Sequence, residues 1–413
     1  MGTGTLIIGA SQAGLQLAVS LRELGDTEAI TLVGAEEHPP YQRPPLSKEY
    51  LNGTADGTSL AFRAPSFYLE QRIDLVCGQR VAGLDLLPDG SGSARTAAGH
   101  EFRFARLALT TGAEPRRLGV PGADLDGISY LRDLDDALRL RKLLADARRV
   151  VVVGGGFVGL EAAAAARARG LEVTVVEAAD RLIARAVAPV VSAFYAQAHE
   201  RRGTRVLLDS GVVAFRGEGG RVAGVVLTDG TELPADLVMV GVGVIPRTEL
   251  AEAIGLECEG GIVVDWYART SVPTVVAAGD CTVLPHPVTG EGRVRLESVN
   301  NAVTQATTAA ATLTGRLEAA PNVPWFWSNQ GDLRLQIAGL STGFDDHVVR
   351  GEPDSERFSV LYYREGRLLA VDAVNAPGDY MAVRRALTQG ATIPADRAAD
   401  TTTPLKQLLL AAA

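Results

Sequence analysis

Lysine is almost missing from this chain: of 40 basic residues in 413, only Lys48, Lys142 and Lys406 are lysines, so each of the three stands out against an arginine background. Cysteine is as scarce. Cys77, Cys258 and Cys281 lie far apart, with neither a C-x-x-C pair nor a metal-ligand spacing, which excludes a dithiol relay and a structural zinc. Histidines 38, 100, 199, 286 and 347 are scattered too, and none sits in a motif that would make it a base. Long hydrophobic runs are missing: the longest is cut by Glu161, short of the eighteen or so residues a membrane helix needs. The chain enters a strand almost at its start, and Leu6 stands where a myristoylation signal would have Ser or Thr. The expected protein is cytoplasmic, with no membrane partner. A net charge of −9 argues against nucleic acid.

The length suits two or three domains, and 46% hydrophobic with 22% charged residues is ordinary globular composition. What stands out are two Gly-rich strand-to-helix turns, TLIIGASQAGLQLAV from Thr5 and VVVVGGGFVGLEAAAAA from Val150. Each follows a β-branched run and opens a helix, the context of a dinucleotide-binding fingerprint. The second copy is complete. Gly154, Gly156 and Gly159 supply the tight turn, the bare backbone under a pyrophosphate and the close helix packing. Its helix closes at Gly170, and the strand Val173 to Val176 ends in Glu177, whose carboxylate suits the ribose hydroxyls of NADH and repels a 2′-phosphate. Arg181 and Arg185, nearby, weigh the other way.

The first copy keeps Gly9 and Gly14 but carries Ser11 in the middle. Either the ligand sits further out there, or Ser11 itself bonds a phosphate oxygen. Its second strand, Ile30 to Val33, is followed by Gly34, Ala35 and Glu36, so the acid comes late. Glu36 reaches a ribose or is a solvated surface residue. A nucleophile elbow is a rival for this turn, but Ala13 stands where that pattern needs glycine.

Further along, Leu107 to Gly112 reads as a strand, Leu237 to Val244 closes the second unit at Gly241 and Gly243, and TVVAAGD ends in Asp280. A carboxylate at the carboxyl end of a parallel strand lies where such sheets bind ligands, so Asp280 holds a ribitol hydroxyl or simply makes a turn. After Arg295-Leu-Glu-Ser-Val-Asn-Asn an Ala/Thr-rich helix follows, its N-terminus a place for negative charge. Pro321, Pro324 and the strand Trp325-Phe-Trp327 open a last region with a helix near Met381 to Leu387. The two tryptophans share a strand face, for which core packing is the usual reason.

With PYQRPPLSKEYL, TTGAEPRRL, GGGFVGLE, TVVEAADR, AAGDC, RLESVNNAVTQA and PWFWSNQGDLRLQIAGL in view, the whole chain resembles the FAD-dependent, NADH-using ferredoxin reductases of bacterial oxygenase systems, of the putidaredoxin reductase and rhodocoxin reductase type. The resemblance implies an α/β, glutathione-reductase-like fold with two Rossmann-type nucleotide-binding domains and an α/β C-terminal domain. It sets an FAD-binding domain at 1–114 and 245–323, an NADH-binding domain at 115–244 and a C-terminal domain at 324–413. It implies that Lys48 pairs with Glu161 beside flavin N5, with Trp327 against the ring where the electron partner docks. By the same carry-over the FAD contacts are Gly9, Ser11, Ala13, Gly14, Ala35, Glu36, Arg43, Lys48, Val81, Arg132, Asp280, Val299 and Trp327. The NADH contacts are Gly154, Gly156, Phe157, Val158, Gly159, Glu177, Arg185 and Gly243.

The implied reaction takes hydride from NADH to FAD and passes single electrons to a small [2Fe–2S] ferredoxin that serves a monooxygenase or dioxygenase. A monomer or weak homodimer is expected, meeting an acidic ferredoxin through local arginines, with Arg293, Arg295, Arg334, Arg384 and Arg385 as candidates. Two alternatives share the architecture. An NADH oxidase would carry a redox cysteine near Leu46-Ser47-Lys48, where there is none. An NADH-sensing interaction protein of the apoptosis-inducing-factor type would show slow flavin reduction.

Overall fold

The structure, a computed structural model, describes residues 4–290, 292–318 and 323–410. Pro321 lies outside the described residues. The chain divides into two compact units, one of residues 1–42, 60–114 and 245–324, the other of 43–59, 115–244 and 325–413. The segment 43–59, which holds the RPPLSK lysine, therefore belongs with the second unit rather than with the sequence that precedes it.

In the first unit a parallel sheet has the order Val275–Ala277, Arg106–Leu109, Thr5–Ile8, Ile30–Val33, Ile73–Val76. Its central strand Thr5–Ile8 is buried along its whole length, as a strand covered on both faces must be, and this is why it reads as an unbroken apolar run. Helices Gln12–Glu23 and Val299–Leu313 pack together through Ala13, Leu17, Ala18 and Leu21 on one side and Ala302, Ala306, Ala309 and Ala310 on the other. The alanines let the two backbones approach closely. An antiparallel sheet of Val81–Leu86, Gly92–Thr96 and Glu101–Phe104 lies in the same unit.

The second unit repeats the parallel plan in the order Arg205–Leu207, Glu172–Val176, Arg149–Val153, Leu237–Val240, Ile128–Ser129. Helix Leu134–Asp146 starts in a capping box in which Asp133 accepts from the Asp136 N–H at 2.9 Å. Its C-terminal part is a five-stranded antiparallel sheet, Trp325–Gln330, Leu333–Gly339, Arg367–Val374, Arg357–Arg364, Asp346–Glu352, with helix Pro377–Thr388 beside it. One core runs through this unit, joining Leu160, Ala162 and Tyr195 to Leu335, Phe358 and Tyr362. Among the described residues no helix is long and apolar enough to cross a membrane.

Candidate functional site

Both glycine turns place their outer glycines where no side chain fits. Gly9 has φ +119°, and a Cβ there would lie 2.1 Å from the Thr110 carbonyl oxygen; at Gly14 it would lie 2.0 Å from the Gly9 carbonyl oxygen. Gly154 has φ +107° and Gly159 would press to 2.3 Å on the Gly154 carbonyl. The middle positions differ. Gly156 faces open space, with nothing within 4 Å of a built Cβ. Ser11 is the extended N-cap of its helix, and its hydroxyl makes no capping bond. Neither helix has an acidic residue in its first turn. An uncapped N-terminus with bare backbone before it suits a phosphate, so both turns fit a dinucleotide.

The first unit brings most of its expected residues to the carboxyl ends of its parallel strands. Gly279, at φ +90°, wedges beside Ala13, to which a Cβ would come within 3.3 Å, and beside Ala302 in the first turn of the helix that begins at Val299. The Gln305 side-chain oxygen Oε1 accepts from the Gly279 N–H at 2.8 Å and from Thr282 Oγ1 at 2.9 Å, which locks the turn carrying Asp280 to that helix. On the other side of Thr5–Ile8, Ala35 is exposed. Glu36 Oε2 accepts from the Tyr41 hydroxyl at 2.6 Å. Val81 opens the antiparallel sheet.

In the second unit Gly154, Gly156, Gly159, Glu177 and Gly243 meet at the ends of three adjacent strands. Both Glu177 oxygens accept backbone N–H groups, Oε2 from Gly155 at 2.6 Å and Oε1 from Ala179 at 2.8 Å. Arg181 is spent on its own loop and the helix that follows, donating to the Val187 and Ala184 carbonyls and to Ser192 of helix Pro189–Arg201. Arg185 is exposed and lies beside Gly243. Arg43 donates to the Arg132 carbonyl at 2.7 Å, and Arg132 N–H is held by Asp136 at 2.9 Å.

The densest polar chemistry surrounds Glu161. The prolines of Pro44–Ser47 start a short 3₁₀ turn that ends at Lys48, whose ammonium donates to Glu161 Oε2 at 2.7 Å. The side chains are 12% and 4% exposed. Ser47 Oγ donates to the same oxygen at 2.5 Å, and Ser328 Oγ donates to Oε1 at 2.7 Å. Glu161 and Phe157 are four apart on helix Phe157–Ala168, while Ser328 and Phe326 are two apart on strand Trp325–Gln330. Four helical residues and two strand residues both advance about 6 Å. Thus Phe157 meets Phe326, with ring centroids 4.6 Å apart, just as Glu161 meets Ser328. The opposite strand face holds Trp325 stacked on Trp327 at 5.4 Å, with the Arg384 guanidinium 5.0 Å over the Trp325 ring. Val158 is 46% exposed at the start of the helix.

Sequence reasoning picked the tryptophans and passed over Phe326, Ser328 and Gln330. Strand alternation alone puts these three on the other face, and that signal was there to be used. It also missed a buried pair in which the Tyr362 hydroxyl donates to Asp372. Complete burial pushes the Asp372 carboxyl up to about 7. The three cysteines are free, and burial raises all three thiols, Cys258 to about 11. None is poised as a thiolate.

Residues 3–306 match the family described as pyridine nucleotide-disulphide oxidoreductase, and residues 325–409 the family described as reductase C-terminal. The chain belongs to the pyridine nucleotide-disulphide oxidoreductase family, as an FAD-containing, NADH-dependent oxidoreductase of the glutathione-reductase-like fold. It is 46% identical to rhodocoxin reductase of Rhodococcus erythropolis over 401 residues, 97% of this chain and 93% of that protein. The ferredoxin reductase for the CYP199A2 system of Rhodopseudomonas palustris superposes with a TM-score of 0.94 at 44% identity, covering 98% of this chain and 99% of that one. The covalent putidaredoxin reductase–putidaredoxin complex gives 0.94 at 38% identity, covering 98% of both chains.

Proposed function

We propose that the buried Lys48–Glu161 pair sits beside the flavin N5 position and that the reductase chemistry depends on it. The enzyme passes electrons from NADH through FAD to a [2Fe–2S] ferredoxin that supplies an oxygenase. Bound FAD supplies the conversion between a two-electron hydride donor and a one-electron acceptor. The protein's part is electrostatic. Lys48 presents a cation that favours arrival of negative charge, and Glu161, fixed by Ser47 and Ser328, keeps that cation in place. Glu177 orders the NADH turn and retains acceptor capacity for ribose hydroxyls. Phe157 lies between the two ring sites, and Trp327 takes the face toward the electron partner.

The single observation behind this reading is the depth of the ion pair, because an exposed Lys–Glu contact would carry little energy. Anaerobic mixing of the FAD-loaded protein with NADH tests it. Glu161→Gln should slow bleaching of the flavin band about tenfold or more, with flavin content unchanged. An unaltered rate would overturn the assignment.

For the ferredoxin we propose a docking surface around Arg334, Arg384 and Arg385. Arg293 is held by Glu257 and Glu259, and Arg295 by Glu297. Arg334 and Arg384 instead both face the Tyr380 phenol, next to Trp325. Ferredoxin-dependent reduction of cytochrome c should slow as salt rises, and rates flat with salt would refute electrostatic docking. The working form we propose is a cytoplasmic monomer or weak homodimer that binds neither nucleic acid nor membrane. Its free cysteines suit a reducing compartment, and its charge of −9 disfavours nucleic acid.

A further inference from the structure

We propose that His199, Gln330 and Ser328 form a one-way hydrogen-bonded relay that positions Glu161 and thereby Lys48, a role that rests on the Lys48–Glu161 assignment above. The direction follows from counting donors. An ionised carboxylate only accepts, so Ser328 spends its single hydroxyl proton on Glu161 Oε1. Towards Gln330 the same oxygen must then accept, and Gln330 Nε2 donates to it at 3.3 Å. That choice turns Gln330 Oε1 to His199, 2.8 Å from Nε2, which must therefore carry a proton. Every link points at Glu161.

The chain is built into the interior. Exposure is 0% at Ser328, 1% at Gln330, 2% at His199 and 5% at Glu161. Apolar side chains would fill this interior at lower desolvation cost, so three linked polar groups there, two on strand Trp325–Gln330 and one on helix Pro189–Arg201, call for a use. The charged and titratable groups facing the chain are few. Lys48 and Tyr195 face Glu161, and Arg202 faces His199. Burial, with Arg202 in support and the Gln330 bond opposing, holds the imidazole below its ordinary value. His199 is then neutral, and Gln330 sets its tautomer to Nε2–H. The residues act through Glu161 and are positioning residues.

Two measurements on the FAD-loaded protein test the relay. The first is the pH profile of anaerobic flavin reduction by NADH. Ser328→Ala removes a donor to the carboxylate, so the acid limb should move up by about one pH unit, roughly a tenfold loss at the low end. Ser328→Thr, which keeps the hydroxyl, should restore the profile. The second is the ¹⁵N spectrum of the His199 ring, which does not depend on turnover. It should show the Nε2–H tautomer, and Gln330→Met should replace it with a mixture. A Ser328→Ala protein with full flavin content and an unmoved profile would overturn the relay, as would an Nδ1–H signature in the unmodified protein. If Ser328→Ala does not hold flavin, an unchanged His199 spectrum in Gln330→Met overturns it equally. Glu161→Gln separates the two ideas. If it leaves rate and profile untouched, the ion-pair assignment fails; if it alters them while Ser328→Ala does not, only the relay fails.

Discussion

The two glycine turns have the same outer geometry and different middles. In the first, built Cβ atoms would stop 2.1 Å from the Thr110 carbonyl at Gly9 and 2.0 Å from the Gly9 carbonyl at Gly14. In the second the matching contacts are 2.4 Å from the Gly241 carbonyl at Gly154 and 2.3 Å from the Gly154 carbonyl at Gly159. All four collide with backbone, which cannot swing aside as a flexible side chain can. At the middle position the fold makes no such demand: one turn tolerates Ser11, and the other leaves Gly156 facing open space. The fold therefore dictates the first and third glycines and makes no demand on the second.

The largest effects should fall on the outer positions. Gly14→Ala and Gly159→Ala drive a methyl into backbone oxygen and should each lower unfolding stability by about 2–3 kcal/mol in chemical denaturation. Gly9→Ala carries the strain of a positive φ besides, about 1–3 kcal/mol. Equal stability to the unmodified protein in any of these would show that the fold accepts a side chain at the outer positions.

That division explains what the sequence disclosed. The outer glycines, their strands and helices, and the terminal Glu177 are local, set by a stretch of a few tens of residues, and could be read directly. The Lys48–Glu161 pair spans 113 residues and the Ser328–Glu161 bond 167. Such contacts come from packing a turn and a strand onto one helix, and no periodicity within either segment carries them. The scarcity of lysine marks Lys48, Lys142 and Lys406 alike, and only the resemblance of RPPLSK to a known motif pairs Lys48 with Glu161. Ser328 alternates with the two tryptophans on its strand, and its partner on the other face lies in a helix remote in sequence. The grouping of 43–59 with the second unit has the same origin, since Leu51 packs into the core of Leu140 and Leu160.

The next effect concerns ligand rather than fold. Gly156→Ser gives the second turn the residue its counterpart carries. Since no atom lies within 4 Å of the built Cβ, stability should stay within about 0.5 kcal/mol. The side chain would stand where bare backbone meets the pyrophosphate. KM for NADH should rise about tenfold in steady-state assays. A fall in stability would show that the second glycine is a demand of the fold after all.

The smallest effect is the reverse exchange, Ser11→Gly. Replacing an N-cap serine by glycine costs only a few tenths of a kcal/mol, and this hydroxyl makes no capping bond to its helix. Thermal unfolding of the flavin-free chain should therefore be nearly unchanged. Flavin retention is the informative readout. If the side chain merely crowds the pyrophosphate, glycine improves retention. If the hydroxyl donates to a phosphate oxygen, glycine removes one hydrogen bond, about 0.5–1.5 kcal/mol, and retention falls roughly two- to tenfold. We expect the fall, because the extended N-cap conformation sets the hydroxyl beside the same uncapped N–H groups that suit a phosphate. Improved retention would reverse the assignment and leave Ser11 as a residue the first turn tolerates rather than uses.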